Sequence, residues 1–566
     1  MTSKNIIKGF TYQMLVLCTI SLFSQKAYCQ LNNDKNEVTV IASYEPTISD
    51  AFKINFNPNI RDSAYEKPNF TYTIQSKKIP TSFMLEPIKP AKIVGEPISK
   101  LYKNLIKAGF GNYLTPYIEI YANSVRSKTY SFGVHAKHLS SSGSIKDYAE
   151  SKYSNNALEV YGMKYFKKST LDGEVYFHRD VINYYGFKPI DFPTYNADIK
   201  QRYAIIGLNA TYYSNYVDSN LLNHKIGFGF YNLSDRYSTH ENNLKFNFDL
   251  DKNVQFFDFS DKQTIGIKTS IDYYNNGGAI GSSVNSAIFG FKPYISTHFN
   301  EYLFYAGVDM SIATSTGVAT KLHIYPKLEA ALNIIPKVLK VYGGISGGID
   351  KSSFRTLSDE NPFINTNTSV GFSNKKFEIY AGINSSLTKT IDFSASISNS
   401  TIDGMPLFVN DTNTVFNAPD NQFTAVYDKV NRLKINAIFL FKYDEKLNFV
   451  FNANLYRYST DLEAEAWHKP GFDASLSARY NINNKIIAHA DIYTFTKSYA
   501  KVYSNNLMII KEIDGMLDAN IGVEYRYSKI LSGFLNINNL TAGRYEKWYD
   551  YPNQRFNMML GFTYAF

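Results

Sequence analysis

The chain has 566 residues, with 59 Lys and Arg against 50 Asp and Glu. Its formal charge of +9 is spread without clusters, which leaves no footprint for nucleic acid. Aromatic residues make up 16%, with 46 Tyr and 41 Phe but 2 Trp, and beyond the leader no apolar run approaches the ~18 residues of a membrane helix, so any membrane crossing falls to strands.

In chain order, Lys4 and Lys8 form a basic start, Met14 to Phe23 an apolar run, and Ala27-Tyr28-Cys29 a cleavage site, together a signal peptide over 1–29. Its removal takes Lys4, Lys8 and Lys26 with it, lowering the charge from +9 to +6. Cys18 and Cys29 leave as well, so the mature chain has no cysteine for a disulfide framework, a thiol catalyst or a Cys-rich metal site. Residues 30–103 form a Pro-rich N-terminal segment, periplasmic or lumenal, with prolines at 46, 58, 68, 80, 87, 90 and 97 breaking helices and central strands. Within it Glu37, Val38, Thr39, Val40, Ile41, Ala42, Ser43 and Tyr44 make a β-prone patch. It can add as a strand to a partner's sheet edge, and it reads equally as a short edge strand.

From 104 to 566 the pattern is amphipathic strands of ~9–11 residues, the length that crosses a bilayer at a tilt. Tyr130, Phe132, Val134 and Ala136 alternate with Ser131, Gly133, His135 and Lys137; Leu244, Phe246, Phe248 and Leu250 alternate with Lys245, Asn247, Asp249 and Asp251. Short turns at Asp444-Glu445-Lys446, Asn483-Asn484 and Ser528-Lys529 contrast with longer connections at 140–154, 183–202, 351–373, 400–430, 498–514 and 541–554. Short turns are expected in the periplasm and long loops outside. Upward strands are predicted near 104–113, 129–139, 170–180, 223–233, 263–274, 302–313, 338–350, 390–399, 446–457, 485–497 and 530–540. Downward partners are predicted near 116–125, 155–166, 203–213, 241–251, 284–298, 320–334, 375–387, 431–443, 471–482, 515–527 and 555–566. The fold class is all-β: a transmembrane antiparallel β-barrel of about 22 strands, between 20 and 24, in the outer membrane with both termini periplasmic.

Candidate chemistry is sparse, and no enzyme and no cofactor are expected. His135 and His138 stand three apart on a strand and face opposite sides, against a shared metal. Asp403, Asp411 and Asp420 could offer oxygen ligands to calcium, but their spacing matches no ordered loop motif and reads as a solvated acidic loop. Gly344-Ile345-Ser346-Gly347-Gly348 matches Gly-x-Ser-x-Gly, yet it lies within a predicted strand rather than on the strand-to-helix turn a nucleophile needs. Tyr184, Tyr185, Phe187, Phe192 and Tyr195 in one connection, and Tyr545, Trp548, Tyr549 and Tyr551 in the last, are expected at the outer rim. There they could contact a sugar or a protein, or form the interfacial girdle.

The last strand places Phe556, Met558, Leu560, Phe562, Tyr564 and Phe566 on one face and Asn557, Met559, Gly561, Thr563 and Ala565 on the other, a lipid side and a wet side. Phe562, Tyr564 and Phe566 are the candidate signal for the barrel-assembly machinery.

The stretch Leu535 to Leu540, Tyr545, Pro552, Arg555 and the final Gly561 to Phe566 resembles the closing hairpin of TonB-dependent receptors. Ala108 to Tyr113 is similar to the start of their barrel, and Glu37 to Tyr44 to their TonB-contacting box. The resemblance implies an outer-membrane substrate receptor or transporter, coupled to a TonB-type periplasmic protein and embedded in outer-membrane lipid. It also implies a folded plug, for which residues 30–103 are too short. The lumen is then filled by that segment, by long loops or by another protein, or left open. The alternative is a non-transporting barrel that serves as scaffold or subunit of an outer-membrane complex.

Overall fold

A computed structural model describes residues 101–566, apart from 217–220, 257, 259–261, 279–282, 413–417, 445 and 505–506. The leader, residues 30–100 and the patch Glu37 to Tyr44 lie outside the described residues. The strands open with β1 (Asn104–Gly111), β2 (Thr115–Asn123), β3 (Tyr130–Ser141), β4 (Tyr153–Tyr165), β5 (Ser169–Asn183) and β6 (Lys200–Ser214). They continue through β7 (Asn223–Ser234), β8 (His240–Val254), β9 (Lys262–Gly277), β10 (Val284–Phe299), β11 (Tyr302–Ser315) and β12 (Val318–Ile335). Next come β13 (Leu339–Ser352), β14 (Gly371–Thr388), β15 (Ile391–Asn410), β16 (Phe423–Tyr443), β17 (Leu447–Thr460) and β18 (Phe472–Ile482). The last are β19 (Ile486–Phe495), β20 (Ser498–Ser504), β21 (Leu507–Ile513), β22 (Met516–Arg526), β23 (Leu531–Asn538) and β24 (Asn557–Ala565).

All but β20 and β21 join one 22-stranded antiparallel sheet, which closes where β1 pairs with β24 from Leu105 opposite Ala565 to Gly111 opposite Met559. Every predicted strand corresponds to one of these 22. The alternation that marked them is the difference between the two faces of the wall. Ile118 and Ile120, Leu158 and Val160, Phe246 and Phe248, Phe289 and Phe291, Leu322 and Ile324 all point outward and are exposed. Met558, Leu560, Phe562, Tyr564 and Phe566 continue that surface around the closing strand. An apolar face of this extent is stable against lipid and not against water. Among the described residues no helix is long and apolar enough to cross a membrane.

The long connections all lie at one rim, beside short turns at 112–114 and 316–317, and the other rim carries short connections throughout. Asn483 and Asn484 take φ of 50° and 56°, the left-handed pair that a two-residue hairpin turn requires and that Asn tolerates. Both barrel ends meet at this rim: Lys103 and Asn104 donate backbone N–H bonds to the Phe566 carbonyl, and Phe566 returns one to Asn104.

Three features depart from the predicted layout. First, β15 and β16 stay paired to Asn410 and Phe423, so the connection expected over 400–430 shrinks to 411–422. A register shift between Ile402 and Met405, with Gly404 at φ 70°, breaks the period-two pattern that would have marked the extension. Second, the 498–514 connection folds as the β20–β21 hairpin, whose Leu507-Met508-Ile509-Ile510 run does not alternate. Third, α1 (Phe354–Glu360) interrupts the connection after β13. The Gly344–Gly348 stretch does lie inside β13, where a Cβ on Gly344 would stand 2.4 Å from the Leu328 carbonyl oxygen.

At the seam Phe534 of β23 points inward and lies over Gly561 of β24, with Lys107 above the ring at 4.8 Å. A Cβ on Gly561 would approach Phe534 to 2.3 Å and the Ala108 carbonyl to 2.2 Å. Gly561→Val is therefore expected to destabilise closure by about 2 kcal/mol, lowering the temperature at which the folded band is lost in semi-native electrophoresis. Gly173→Ala, whose nearest atom would be 3.8 Å away, is expected to leave it unchanged.

Candidate functional site

Antiparallel pairing keeps inward residues opposite inward residues, so the lumen wall is built in layers. One layer runs Tyr121, His135, Glu159, Tyr176, Gly207, Tyr231, Asn243 and Tyr274 across β2 to β9. Toward the long-loop rim the next layer on β5 to β9 is His178, Ile205, Leu233, Glu241 and Asn276; toward the other rim it is Glu174, Asn209, Gly229, Lys245 and Asp272.

These side chains are chained by hydrogen bonds. His135 meets Glu119 Oε1 through Nε2 and Glu159 Oε2 through Nδ1, each at 3.0 Å, and His178 Nε2 meets Glu159 Oε1 at 3.0 Å. Tyr117 and Tyr121 hydroxyls donate to Glu119, and the Tyr121 ring stacks on His135 at 4.4 Å. Alternating carboxylates and imidazoles hold one another's geometry without converging on a point. Among the described residues no group of three or more His, Cys, Asp or Glu could hold a metal ion.

Helix α1 docks on the upper layer. A seven-residue helix has too few internal bonds to stand alone, and this one is fixed from outside. Ser353 caps it by accepting from the Thr356 N–H. Fully buried Glu241 accepts from the Phe354 N–H at 2.7 Å, the Arg355 N–H at 3.2 Å, the Tyr231 hydroxyl at 2.7 Å and the Asn276 amide at 2.6 Å. Arg355 then reaches down into the tyrosine layer, donating to the Tyr176 hydroxyl at 3.0 Å and lying over the Tyr231 ring at 4.6 Å. Tyr176 in turn lies across Gly207, where a Cβ would come within 2.2 Å of the ring. Below α1 the two lower layers enclose a cavity of about 430 Å³ lined by Glu174, His178, Asn209, Lys245, Asp272 and Arg355, among others.

The rest of the connection, residues 361–370, completes a cap. It leaves β13 and contacts β6, β16 and the last loop, so it crosses the lumen rather than returning along the wall. Tyr184 and Tyr203 hydroxyls donate to the carbonyls of Ile364 and Pro362, and Thr366 is tied to Asp235 and Thr239. Phe354, Leu357, Ile364, Phe408, Phe423, Trp548 and Tyr551 form its apolar core. Burial holds the His468 imidazole down to about 3; its Nδ1 donates to the Phe408 carbonyl and its Nε2 accepts from the Tyr549 N–H at 3.4 Å. Burial pushes the carboxyls of Asp359, Asp411, Glu546 and Asp550 up, against the pull of Arg355 on Asp359 and of the Asn365 hydrogen bond on Asp411.

Four of the nine aromatic residues assigned from sequence to the outer rim, Tyr184, Tyr185, Trp548 and Tyr551, pack into this cap, while Phe187 packs edge-on against Phe192 and Tyr195. Tyr184 is 2% exposed and Trp548 5%, while Tyr185 donates to the Pro552 carbonyl and packs edge-on to Phe363 and Tyr551. Tyr545 donates to Asp518. Tyr549 instead lines a second cavity of about 430 Å³ with Phe192, Asp420, Tyr503 and Lys511. Asp403 pairs with Lys376 on the barrel wall and Asp411 accepts from Asn365. His138 faces away from the His135 network and bonds Asn156 at 2.7 Å. Apart from His135, and Lys245 as one residue of an alternating polar face, the layer residues and Arg355 drew no attention in the sequence. Their inward phase was readable, but their grouping depends on register.

No protein-family model and no curated protein matches the sequence. Solved structures do. The pyoverdine outer membrane receptor FpvA of Pseudomonas aeruginosa superposes with a TM-score of 0.63 at 11% identity, covering 83% of this chain and 79% of that one. The FrpB iron transporter of Neisseria meningitidis gives 0.63 at 10% over 83% and 82%. The ferric-catecholate import receptor Fiu of E. coli K12 gives 0.62 at 11% over 82% of each chain. At such identity the likeness is one of fold, and it is the barrel fold expected from the closing hairpin.

Trp548 is buried in the core of the cap and Trp467 in a separate cluster against β15 and β16, so the emission of Trp548, read in a Trp467→Phe background, reports the packing of the cap. Glu241→Ala leaves the helix N–H groups without their acceptor and is expected to cost the cap roughly 3 kcal/mol, seen as a red-shifted emission while the barrel keeps its folded mobility. Glu241→Gln is expected to cost less. His468 has its folded value below the unfolded one, so its contribution is intact above pH ~6.5 and is lost as pH falls, by about 1.4 kcal/mol per unit. The raised carboxyls act in the opposite sense, gaining stability as pH falls. The difference in cap stability between the native chain and His468→Gln is therefore expected to shrink steadily from pH 6.5 to 5 in urea titrations followed by tryptophan emission.

Proposed function

We propose that this chain is an outer-membrane receptor and transport barrel whose lumen is closed by its own β13–β14 connection. The observation that carries this reading is the hydrogen-bonding layer lining β2 to β9 directly beneath a connection that crosses the lumen. A wall meant only to fill space would be apolar and interdigitated; this one offers carboxylates, imidazoles and hydroxyls to a polar solute. By the disposition of short turns, the rim holding Asn104 and Phe566 faces the periplasm. In this reading Glu37 to Tyr44 are the contact for a TonB-type periplasmic protein. Phe562, Tyr564 and Phe566 are the terminal residues available to the assembly machinery.

The apolar core of the cap, with Trp548 and Tyr551 nearly inaccessible, favours a second reading, a sealed barrel acting as scaffold in an outer-membrane complex. Planar-bilayer conductance separates the two. Residues 30–566 are expected to be closed, and replacing 353–370 by a short Gly-Ser linker is expected to open steps of large-pore size. A linker variant that stays closed, with no uptake lost on deleting Glu37 to Tyr44 in cells, would establish the scaffold reading instead. Removal of 30–103 tests whether that segment adds to the closure.

A further inference from the structure

We propose that the cavity beneath α1 binds a short zwitterionic peptide of two or three residues, its carboxylate toward Arg355 and its ammonium toward Glu174 and Asp272. This deepens the receptor reading and rests on it. The cavity, about 430 Å³, is within the range of small-molecule sites, and its charge is segregated along the barrel axis. Arg355 enters at the α1 end, in the tyrosine layer, while the layer below carries two carboxylates, Glu174 and Asp272, against one ammonium, Lys245.

Asp272 accepts from the Asn243 amide at 2.6 Å and the Tyr274 hydroxyl at 3.1 Å, and Arg355 donates to Tyr176, but each charged group also has a long contact that a ligand can replace. Arg355 Nε stands 3.8 Å from Asp359, Lys245 Nζ 3.7 Å from Asp272, and the Asn209 amide 3.3 Å from Glu174. Glu241, one layer above, is by contrast closed by four donors and unavailable. Successive inward residues on a strand are separated by ~7 Å. The ligand's charges must stand about that far apart, which a free amino acid cannot match and two or three extended residues can. At these two levels the Asn209 amide, and the Tyr231 and Tyr274 hydroxyl oxygens, whose protons go to Glu241 and Asp272, offer hydrogen-bonding groups suited to peptide units. Gly229 leaves the wall without a side chain at the lower level, whereas Gly207 is covered by the Tyr176 ring.

The test is isothermal titration calorimetry of residues 30–566 in detergent with triglycine, N-acetyltriglycine, triglycinamide, glycine and 6-aminohexanoate. Triglycine is expected to bind saturably, each blocked form at least tenfold more weakly, and glycine not at all. Asp272→Asn with Glu174→Gln is expected to abolish discrimination against the acetylated form and to keep that against the amide. Arg355→Gln is expected to do the reverse. Should Arg355→Gln loosen α1, as tryptophan emission would reveal, the two wall substitutions decide alone. Absence of triglycine binding, or equal affinity for its blocked forms, overturns the site. Equal affinity for 6-aminohexanoate overturns the peptide assignment. Binding is read without flux, so a barrel that conducts but does not bind loses only this site, whereas one that binds and never conducts or imports loses the transport reading.

Discussion

A backbone surrounded by hydrocarbon has no water to bond, so every N–H and C=O in a spanning strand must find a partner strand. All else here descends from that requirement. It forces β1 onto β24, and with the ring closed the register of every neighbouring pair is settled from end to end. Register decides which side chains share a height inside the lumen. His135 stands between Glu119 and Glu159, and Tyr176 beside Glu159, because the consecutive strands β2 to β5 cannot slip by one residue without turning their apolar faces inward.

Inside the wall the economy is different. The cap could have been held by apolar packing alone, yet its first element is secured by a buried carboxylate. Glu241 sits at the end of α1 where the helix presents unsatisfied N–H groups, and it takes bonds from Tyr231 and Asn276 as well. A charge removed from water is tolerable only with such a full set of donors. The same saturation makes the attachment specific: α1 fits at one height and one azimuth. Arg355, carried on it, is thereby delivered to a fixed place among tyrosines of β5 and β7.

The barrel was legible in the sequence because lipid imposes a rule on each strand separately. Leu322 and Ile324, or Phe246 and Phe248, declare their face without reference to any neighbour. The cap and the layered wall obey no such local rule. The Phe354 to Glu360 stretch reads as part of a long loop, since its helix exists only against Glu241 and the aromatic core. Tyr184 and Trp548 looked like rim residues because a loop aromatic is usually exposed, and only the inward fold of 361–370 buries them. Where β15 continues past Ile402, the bulge at Gly404 shifts the phase and conceals eight further residues of strand. Glu119, Glu159, Glu174 and Asp272 are ordinary inward polar residues until pairing sets them side by side.

The seam has a consequence in time. β1 is the first barrel strand a ribosome delivers and β24 the last, yet they are immediate neighbours, joined through Phe566 itself. No shortened chain can close. Until β24 is supplied, the edge of β1 near Asn104 stays unpaired, and it must be shielded while every intervening hairpin is laid down. The partner of that edge is the last strand of the barrel, so the first strand made waits for the last. A chain lacking even its last strand would carry two open edges, a template for aggregation rather than a smaller barrel.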